Sequence, residues 1–151
     1  MKSILIEALD FNELSLSQLY QILALRMEVF CVEQSCPYQD LDDQDQTAKH
    51  ILLLNGDELI AYSRVLSNSR ECSIGRVVVK SHYRNKGLAK NLMHASIKEC
   101  IKHHPRQDII ISAQSYLQDF YYQLGFVSRN KYYLEDDIPH EEMIYVKKEQ
   151  T

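Results

Sequence analysis

The sequence lacks most of the features that would assign it to a specialised class of protein. No apolar run approaches the ~20 residues that a membrane-spanning helix requires. It has no basic block, and 17 basic against 21 acidic side chains give a net charge of −4, so nucleic acid binding is not indicated. Repeats, low-complexity tracts and linkers are also absent. The remaining composition, 45% hydrophobic and 25% charged, predicts one globular domain over residues 1–151.

The cysteines and the N-terminal segment exclude further classes. The four cysteines form no Cys-x-x-Cys pair and match no common zinc-ligand spacing, so we expect reduced thiols and no metal. Glu7 places an acidic side chain too early for a signal peptide. We therefore expect a cytoplasmic protein that works without a membrane or a nucleic acid partner.

The segment 74–93 carries the most informative pattern in the chain. Its three consecutive valines at 77–79 predict a buried strand, and a basic turn and a helical apolar period follow. The first turn of a helix has unpaired N–H groups, and its dipole favours negative charge. Gly87 allows close backbone approach, and Arg84 and Lys86 add positive charge. This combination predicts a phosphate-binding site.

The spacing within this turn identifies the kind of phosphate site. It is not a Walker loop, because no Gly-Lys-Ser/Thr follows a spaced first glycine, and Gly87 is too isolated for the dinucleotide fingerprint. The order Arg84-x-x-Gly87-x-Ala89 resembles the coenzyme A pyrophosphate loop of the GNAT superfamily of N-acyltransferases. A basic turn that caps a surface helix is the alternative interpretation.

A second motif supports the same resemblance. The run 120–126, Phe-Tyr-Tyr-Gln-Leu-Gly-Phe, resembles the Phe-Tyr-x-x-x-Gly-Phe signature of the superfamily. Gly125 is predicted to end a helix, and Phe126 to begin the next strand. A helix, a short turn and a strand at 108–113 separate the two motifs, which is the order that the superfamily requires. Two motifs in register make the resemblance specific.

Hydrophobic periodicity predicts elements over nearly the whole chain. Ser15 opens a helix as part of a capping box, and Asn55-Gly56 predicts the turn of a hairpin. The order βαββ(β)αβαβ predicts an α/β (α+β) fold, a GNAT-like mixed and mostly antiparallel central sheet flanked by helices. The predicted elements and loop are strand 3–8, a helix through residue 30, loop 34–48, hairpin 50–65, a strand through 79, helix 87–102, strand 108–113, helix 115–124 and a final strand at 143–146.

Two further patterns look like the ElaA-like branch of the superfamily. One extends from Arg26 to His50 and contains Cys36-Pro37-Tyr38, and the other is Ile138-Pro139-His140-x-x-Met143. Members of that branch are mostly described as acetyltransferases, so the resemblance sharpens the family more than the substrate. Three positions depart from the usual pattern, in which glycine is common: Asn85, Ala89 and Asp137.

The resemblance implies acetyl-CoA (coenzyme A) as co-substrate, and it implies which residues hold it. The loop would bind the pyrophosphate, and the valine backbone would pair with the pantetheine arm, with one N–H available to an oxyanion. Gln114 stands where many relatives carry an asparagine that contacts the cofactor. The implied cofactor-binding residues are Val77, Val78, Val79, Arg84, Asn85, Lys86, Gly87, Leu88, Ala89, Lys90 and Gln114.

The resemblance also implies the catalytic groups. Tyr121 occupies the tyrosine position of the second motif, where a phenol of pKa ~10 can protonate a departing thiolate whose parent thiol has a pKa near ~8.5. A core tyrosine with a satisfied hydroxyl is the alternative. For the general base, Glu33 and His140 belong to the ElaA-like pattern, and an ordered water is a third option.

The acceptor is expected to be an amine of a small molecule or peptide, possibly cationic. The loop 40–45 fails the EF-hand pattern, because Ile51 stands where the closing glutamate is required and the glycine is also missing, and it is interpreted as a solvated acidic loop. Acidic side chains in two loops would attract cations, although they could serve only to solvate those loops. They are Glu33, Asp40, Asp42, Asp43, Asp45, Glu135, Asp136, Asp137, Glu141 and Glu142.

The leading hypothesis is an acetyl-CoA-dependent N-acetyltransferase that uses direct attack in a ternary complex. The alternative is a non-catalytic acyl-CoA-binding or sensing module, which would not need Tyr121. The sequence leaves open the identity of the acceptor, the acyl length, the general base and whether two copies form a homodimer.

Overall fold

The computed structural model describes residues 3–147, which form seven strands and three α-helices. The strands are β1 Ile4–Asp10, β2 Lys49–Asn55, β3 Glu58–Ser67, β4 Glu71–Val79, β5 Asp108–Gln114, β6 Phe126–Glu135 and β7 Ile138–Tyr145. The helices are α1 Leu16–Arg26, α2 Leu88–His103 and α3 Gln118–Gln123. A π-helical turn, Met27–Glu33, continues α1, and a 3₁₀ turn, Ser115–Leu117, precedes α3. No helix within the described part of the chain is long and apolar enough to cross a membrane.

All the strands form one sheet in the order β1-β2-β3-β4-β5-β7-β6. Among the described strands, β4 and β5 are the one parallel pair, so the prediction of a mixed, mostly antiparallel sheet is confirmed. The predicted order counted one strand too few after the last helix. Strand β6 lies at the sheet edge and its residues 129–135 are exposed, so it lacks the apolar alternation that reveals a strand.

Apolar side chains form a core on each face of the sheet. Helix α2 contributes Leu92 and Met93 to the first core, where they meet the fully buried Phe126. Helix α1 packs Ile22 and Leu25 against β2 and β3 in the second. Each fully buried side chain of this size stabilises the fold by about 1.5–3 kcal/mol. The two cores hold the central strands between α1 and α2.

Local sequence signals explain where several elements begin and turn. The predicted capping box is present, because Gln18 N donates to Ser15 Oγ at 3.0 Å and Ser15 N donates to Gln18 Oε1 at 2.9 Å. Gly56 adopts a φ of +63° in the β2–β3 turn. Asp137 replaces the usual glycine in the β6–β7 turn and has a φ of +63°, a conformation that favours glycine.

Strands β4 and β5 diverge after a short parallel contact. They pair only from Glu71–Asp108 to Ser73–Ile110. Strand β4 also carries a bulge opposite β3, between the pairs made by Tyr62 and Arg64, and Arg76 there has a φ of +51°. The divergence leaves one hydrogen-bonding edge of β4 without a strand partner and opens a cleft in the middle of the sheet.

Candidate active site

A cleft of about 680 Å³ occupies the space between the diverging strands. Residues 74–79 of β4 form one wall, and Ser112 and Gln114 of β5 lie on the other. The π-helical turn and the loop that follows it border the cleft on a further side, through residues such as Glu33 and Tyr38. A volume of this size suits a small-molecule or cofactor site.

A second pocket of about 230 Å³ lies at the predicted pyrophosphate loop. Asn85 and Gly87 have φ values of +62° and +77°, which fold the loop tightly in front of α2. No side chain within residues 3–147 caps the N-terminus of α2, so its first N–H groups are available to an anion. Val79 and Arg84 line both this pocket and the cleft, so the two spaces adjoin at these residues.

The predicted cofactor-binding residues line these two adjoining spaces, with one exception. Leu88, Ala89 and Lys90 line the loop pocket together with the residues above. Lys86 does not line it and lies instead in a separate pocket, where its Nζ is 5.5 Å from the ring centroid of Tyr83. The charge of Lys86 therefore lies outside the loop pocket.

The three valines contribute both to the core and to the cleft. Val78 is 3% exposed and packs in the core under α1, while Val77 and Val79 are partly buried. All three line the cleft, and they follow the point at which β4 loses its pairing with β5. Backbone groups on that edge need partners from water or a ligand.

Tyr121 lies where α3 forms part of the cleft wall. Its side chain is 7% exposed and makes edge-on contacts with the rings of Phe120 and Phe126, at centroid distances of 5.1 and 6.1 Å. Burial raises the pKa of Tyr121 to about 12, so its hydroxyl stays protonated at neutral pH. The neighbouring Tyr122 is 66% exposed and does not line the cleft.

Glu33 and Arg84 were predicted for different tasks, but the structure pairs them. The Nη2 of Arg84 donates to Oε2 of Glu33 at 2.9 Å, and its Nε donates to the carbonyl of Val79 at 3.0 Å. Both side chains line the cleft and are partly exposed. The pair therefore connects the π-helical turn to the pyrophosphate loop.

His140 lies in the opposite wall and is held at both ring nitrogens. Its Nδ1–H donates to the carbonyl of Ile138 at 2.7 Å, and its Nε2 is 3.2 Å from Oε2 of Glu135. The ring also stacks on Tyr133. Because both nitrogens face acceptor oxygens, this geometry suits a donor at each of them. A role as general base requires Glu135 to move away.

The interpretation of residues 40–45 as a solvated acidic loop is wrong for Asp40 and Asp45, which are 2% and 6% exposed. Arg26, which is fully buried at the end of α1, donates its Nε to Asp40 at 2.8 Å and its Nη1 to Asp45 at 2.7 Å. A buried guanidinium needs such partners. The sequence did not reveal them, because the three residues are far apart in the chain.

The same network continues to the edge of the cleft through Asp42, Arg64 and Arg76. Arg64 pairs with Asp42 and Asp45, and Arg76 pairs with Asp40 at 2.9 Å. The hydrogen bond from Arg64 holds the pKa of Asp42 well below its usual range. Burial raises the pKa of Asp45, but its arginine partners outweigh burial and leave it lowered. The three arginines thus fix the 34–48 loop against the sheet.

Other acidic residues that were predicted to face the acceptor also have hydrogen-bond or ion-pair partners. Glu141 is 1% exposed and accepts from Nε2 of Gln118 at 3.3 Å, and Glu142 pairs with Arg129 and Lys131. Asp136 lines the cleft, next to Glu135. The acidic loops therefore present less free negative charge than their composition indicates.

The cleft also contains residues that sequence analysis missed. Ser112, Tyr116 and Cys36 all line it, and Tyr116 is 74% exposed. The Sγ of Cys36 lies 3.6 Å from the carbonyl of Asp136, so the loop after α1 meets the β6–β7 turn. Tyr116 could have been predicted to line the cleft, because it stands two residues after Gln114. The contact of Cys36 with the β6–β7 turn could not, because the two are far apart in the sequence.

Comparison with known proteins identifies the family to which the chain is similar. Residues 13–147 match the family model for the acetyltransferase (GNAT) domain. Protein ElaA of Escherichia coli (strain K12) is 43% identical over 137 residues, which cover 87% of this chain and 90% of ElaA.

Solved structures agree with the sequence match. The crystal structure of Escherichia coli ElaA has a TM-score of 0.90 at 42% identity, and the match covers 94% of this chain and 99% of that one. An acyl-CoA N-acyltransferase from Pseudomonas aeruginosa has a TM-score of 0.90 at 37% identity, with 95% and 100% of the two chains covered. The similarity therefore spans the cleft, the loop and α3 together.

Proposed function

Because the chain belongs to the GNAT acetyltransferase family, we propose that it transfers an acetyl group from acetyl-CoA to an amine by direct attack in a ternary complex. The observation that carries the proposal is that the pocket at the anion-binding loop adjoins the cleft, which has Tyr121 in its wall. Residues 1–151 would act as one catalytic domain, in the cytoplasm.

The cofactor would lie along β4. Its pyrophosphate would accept hydrogen bonds from the N-terminus of α2 and the turn at Asn85 and Gly87, where both backbone angles already suit the loop. The pantetheine arm would pair with the free edge of β4 near Val77 and Val79. The name of the Pseudomonas aeruginosa relative supports an acyl-CoA donor. The proposed chemistry requires no metal.

The transfer itself needs three positioned groups. The amine nitrogen attacks the thioester carbonyl, and a backbone N–H of β4 stabilises the oxyanion. Collapse of the intermediate breaks the carbon–sulfur bond, and Tyr121 donates its proton to the departing thiolate. Glu33 is the proposed acceptor of the amine proton, directly or through water, because His140 is held by acceptors at both nitrogens.

The proposed acceptor is a cationic amine, in a small molecule or a peptide. Four carboxylates line the cleft, Glu33, Asp42, Glu135 and Asp136, against the two guanidiniums of Arg76 and Arg84. Asp42 and Glu33 are paired with Arg64 and Arg84, whereas Glu135 and Asp136 have no arginine partner among the described residues. Such a surface attracts a cation more strongly than an acid or a neutral sugar.

A single assay tests the proposal. Purified protein is incubated with acetyl-CoA and a panel of amines, and release of the free thiol of coenzyme A is followed. Amine-dependent release is the expected result. Binding of acetyl-CoA without release for any amine would instead support the acyl-CoA-binding module, and absence of binding would reject both.

A further inference from the structure

One ion pair joins Glu33, the proposed proton acceptor, to Arg84, a residue of the phosphate loop. Their closest atoms are 2.9 Å apart, and Arg84 is also anchored to the Val79 carbonyl. The pair lies where the loop pocket adjoins the cleft, since Arg84 lines both spaces. It is therefore at the boundary between the proposed cofactor and acceptor sites.

This ion pair is of the kind that a stronger anion can displace. The side chains of Glu33 and Arg84 are 33% and 40% exposed, and ion pairs this accessible to water are weak. A pyrophosphate carries more charge than one carboxylate and accepts a guanidinium at two oxygens. Arg76, the other arginine in the lining of the cleft, cannot replace Arg84 in this role, because it is paired with Asp40 and Asp42.

Displacement would leave Glu33 with a free carboxylate on the acceptor side. No second cation pairs with Glu33 among the described residues. A partly buried carboxylate without a partner favours a cationic ligand. The same event that binds the cofactor would thus create a binding group for the amine.

We infer that acyl-CoA completes the amine site by moving Arg84 from Glu33 to the pyrophosphate, so that the two substrates bind with positive coupling. The inference rests on the proposed function and adds that Glu33 discriminates cationic acceptors only when the cofactor is bound. Because coupling is reciprocal, the amine must strengthen cofactor binding by the same factor.

Isothermal titration calorimetry with coenzyme A tests the exchange, using the intact chain and its Glu33→Gln variant. The amide cannot hold Arg84 as the carboxylate does, so the variant should bind coenzyme A about 1.5-fold to 5-fold more tightly. Asp10→Asn is the matched control, because Asp10 pairs with Lys49 at 3.0 Å and does not line the cleft. It should leave the dissociation constant unchanged.

Steady-state kinetics with the best amine of the panel give a second readout. Glu33→Gln should lower KM for acetyl-CoA and raise KM for the amine, whereas a merely structural role for Glu33 would raise both. Equal or weaker coenzyme A binding by the variant, with normal binding by the wild type, overturns the exchange alone. Failure of the wild type itself to bind coenzyme A rejects the proposed function as well.

Discussion

At the scale of single residues, Tyr121 and Arg84 carry the most specific expectations. Both stand in short motifs whose neighbours in the chain are also their neighbours in space, which is why sequence analysis could select them. The pairing of Arg84 with Glu33 was not accessible in this way, because it joins residues 51 positions apart. The contacts of His140 with Ile138 and Glu135 depend similarly on how β6 and β7 pair.

We predict that Tyr121→Phe lowers kcat by about 10²–10⁴-fold, because the variant loses only a proton donor. The dissociation constant for acetyl-CoA should change little, since the ring keeps its packing against Phe126. Steady-state kinetics and calorimetry measure the two quantities. Tyr122→Phe is the control, because Tyr122 is exposed outside the cleft. A wild-type kcat in Tyr121→Phe, supported by an unchanged pre-steady-state rate, would exclude Tyr121 as the acid.

We predict that Arg84→Glu abolishes stabilisation by coenzyme A, because it places a negative charge against the pyrophosphate. In the wild type, a ligand at 100 times its Kd should add about 2.7 kcal/mol to the free energy of unfolding. Thermal melting with and without coenzyme A checks this. Arg70→Glu makes the same charge change at an exposed turn and should keep the shift. Retention of the full shift in Arg84→Glu would place the phosphates elsewhere.

At the scale of elements, the 34–48 loop shows best how far sequence analysis extends. Its position between α1 and β2 was predicted from the absence of a period, but its attachment to the sheet was not. Arg26 extends the helical pattern of α1 and gives no local sign that it is buried. Three arginines from α1, β3 and β4 decide the conformation of the loop, and each is distant from it in sequence.

We predict that Asp40→Asn lowers the free energy of unfolding by about 3–5 kcal/mol, because it leaves buried guanidinium charge without its partner. Urea unfolding at neutral pH measures the change. Asp43→Asn is the control within the same loop, because Asp43 is exposed and belongs to none of the ion pairs among the described residues. Equal stabilities of the two variants would show that the network contributes little.

At the scale of the whole molecule, the fold was predictable because two motifs and the elements between them fix its central part. The distribution of charge was not, because it depends on which acids meet arginines after folding. Ten acidic residues were expected to face the acceptor, yet Asp40 and Asp45 are buried and paired with arginine, and Glu141 is buried and hydrogen-bonded to Gln118. The net effect on an approaching ligand is a property of the assembled structure.

We predict that kcat/KM for spermidine exceeds that for a neutral amine of similar size, and that it falls as salt is added. The excess of acids in the cleft lining supplies the attraction, and salt screens it over a Debye length of ~8–10 Å at physiological ionic strength. Thiol release at low and high salt measures both effects. A preference for neutral or anionic acceptors, or insensitivity to salt, would contradict the electrostatic argument.

We predict that stability falls at mildly acid pH because of His50. Its Nδ1 accepts from the Tyr62 hydroxyl at 2.6 Å, its Nε2–H donates to the Asp45 carbonyl at 2.9 Å, and burial lowers its pKa. Below the unfolded pKa of ~6.5, the unfolded chain takes up a proton that the folded chain refuses, so the free energy of unfolding decreases as pH falls.

Urea unfolding between pH 7.5 and 5 tests this expectation. His50→Gln should be less stable at pH 7.5 but should lose less stability on acidification than the wild type, whereas the exposed His82→Gln should behave like the wild type. A further loss should begin as pH falls below the usual range of aspartate, because the pKa values of Asp42 and Asp45 are lowered in the folded state. A flat profile above pH 5 would contradict the role of His50.

Among the described strands, β4 and β5 share the shortest backbone ladder of the sheet. Strands β1 to β4 pair with their neighbours over most of their length, and so do β5 to β7. Among the described residues, three backbone pairs join β4 to β5. An extended ligand in the gap would act as an added strand, because it would satisfy the backbone groups on the free edge of β4. Local opening at this edge would then require loss of the ligand, so that occupancy would strengthen the sheet where its own ladder is shortest.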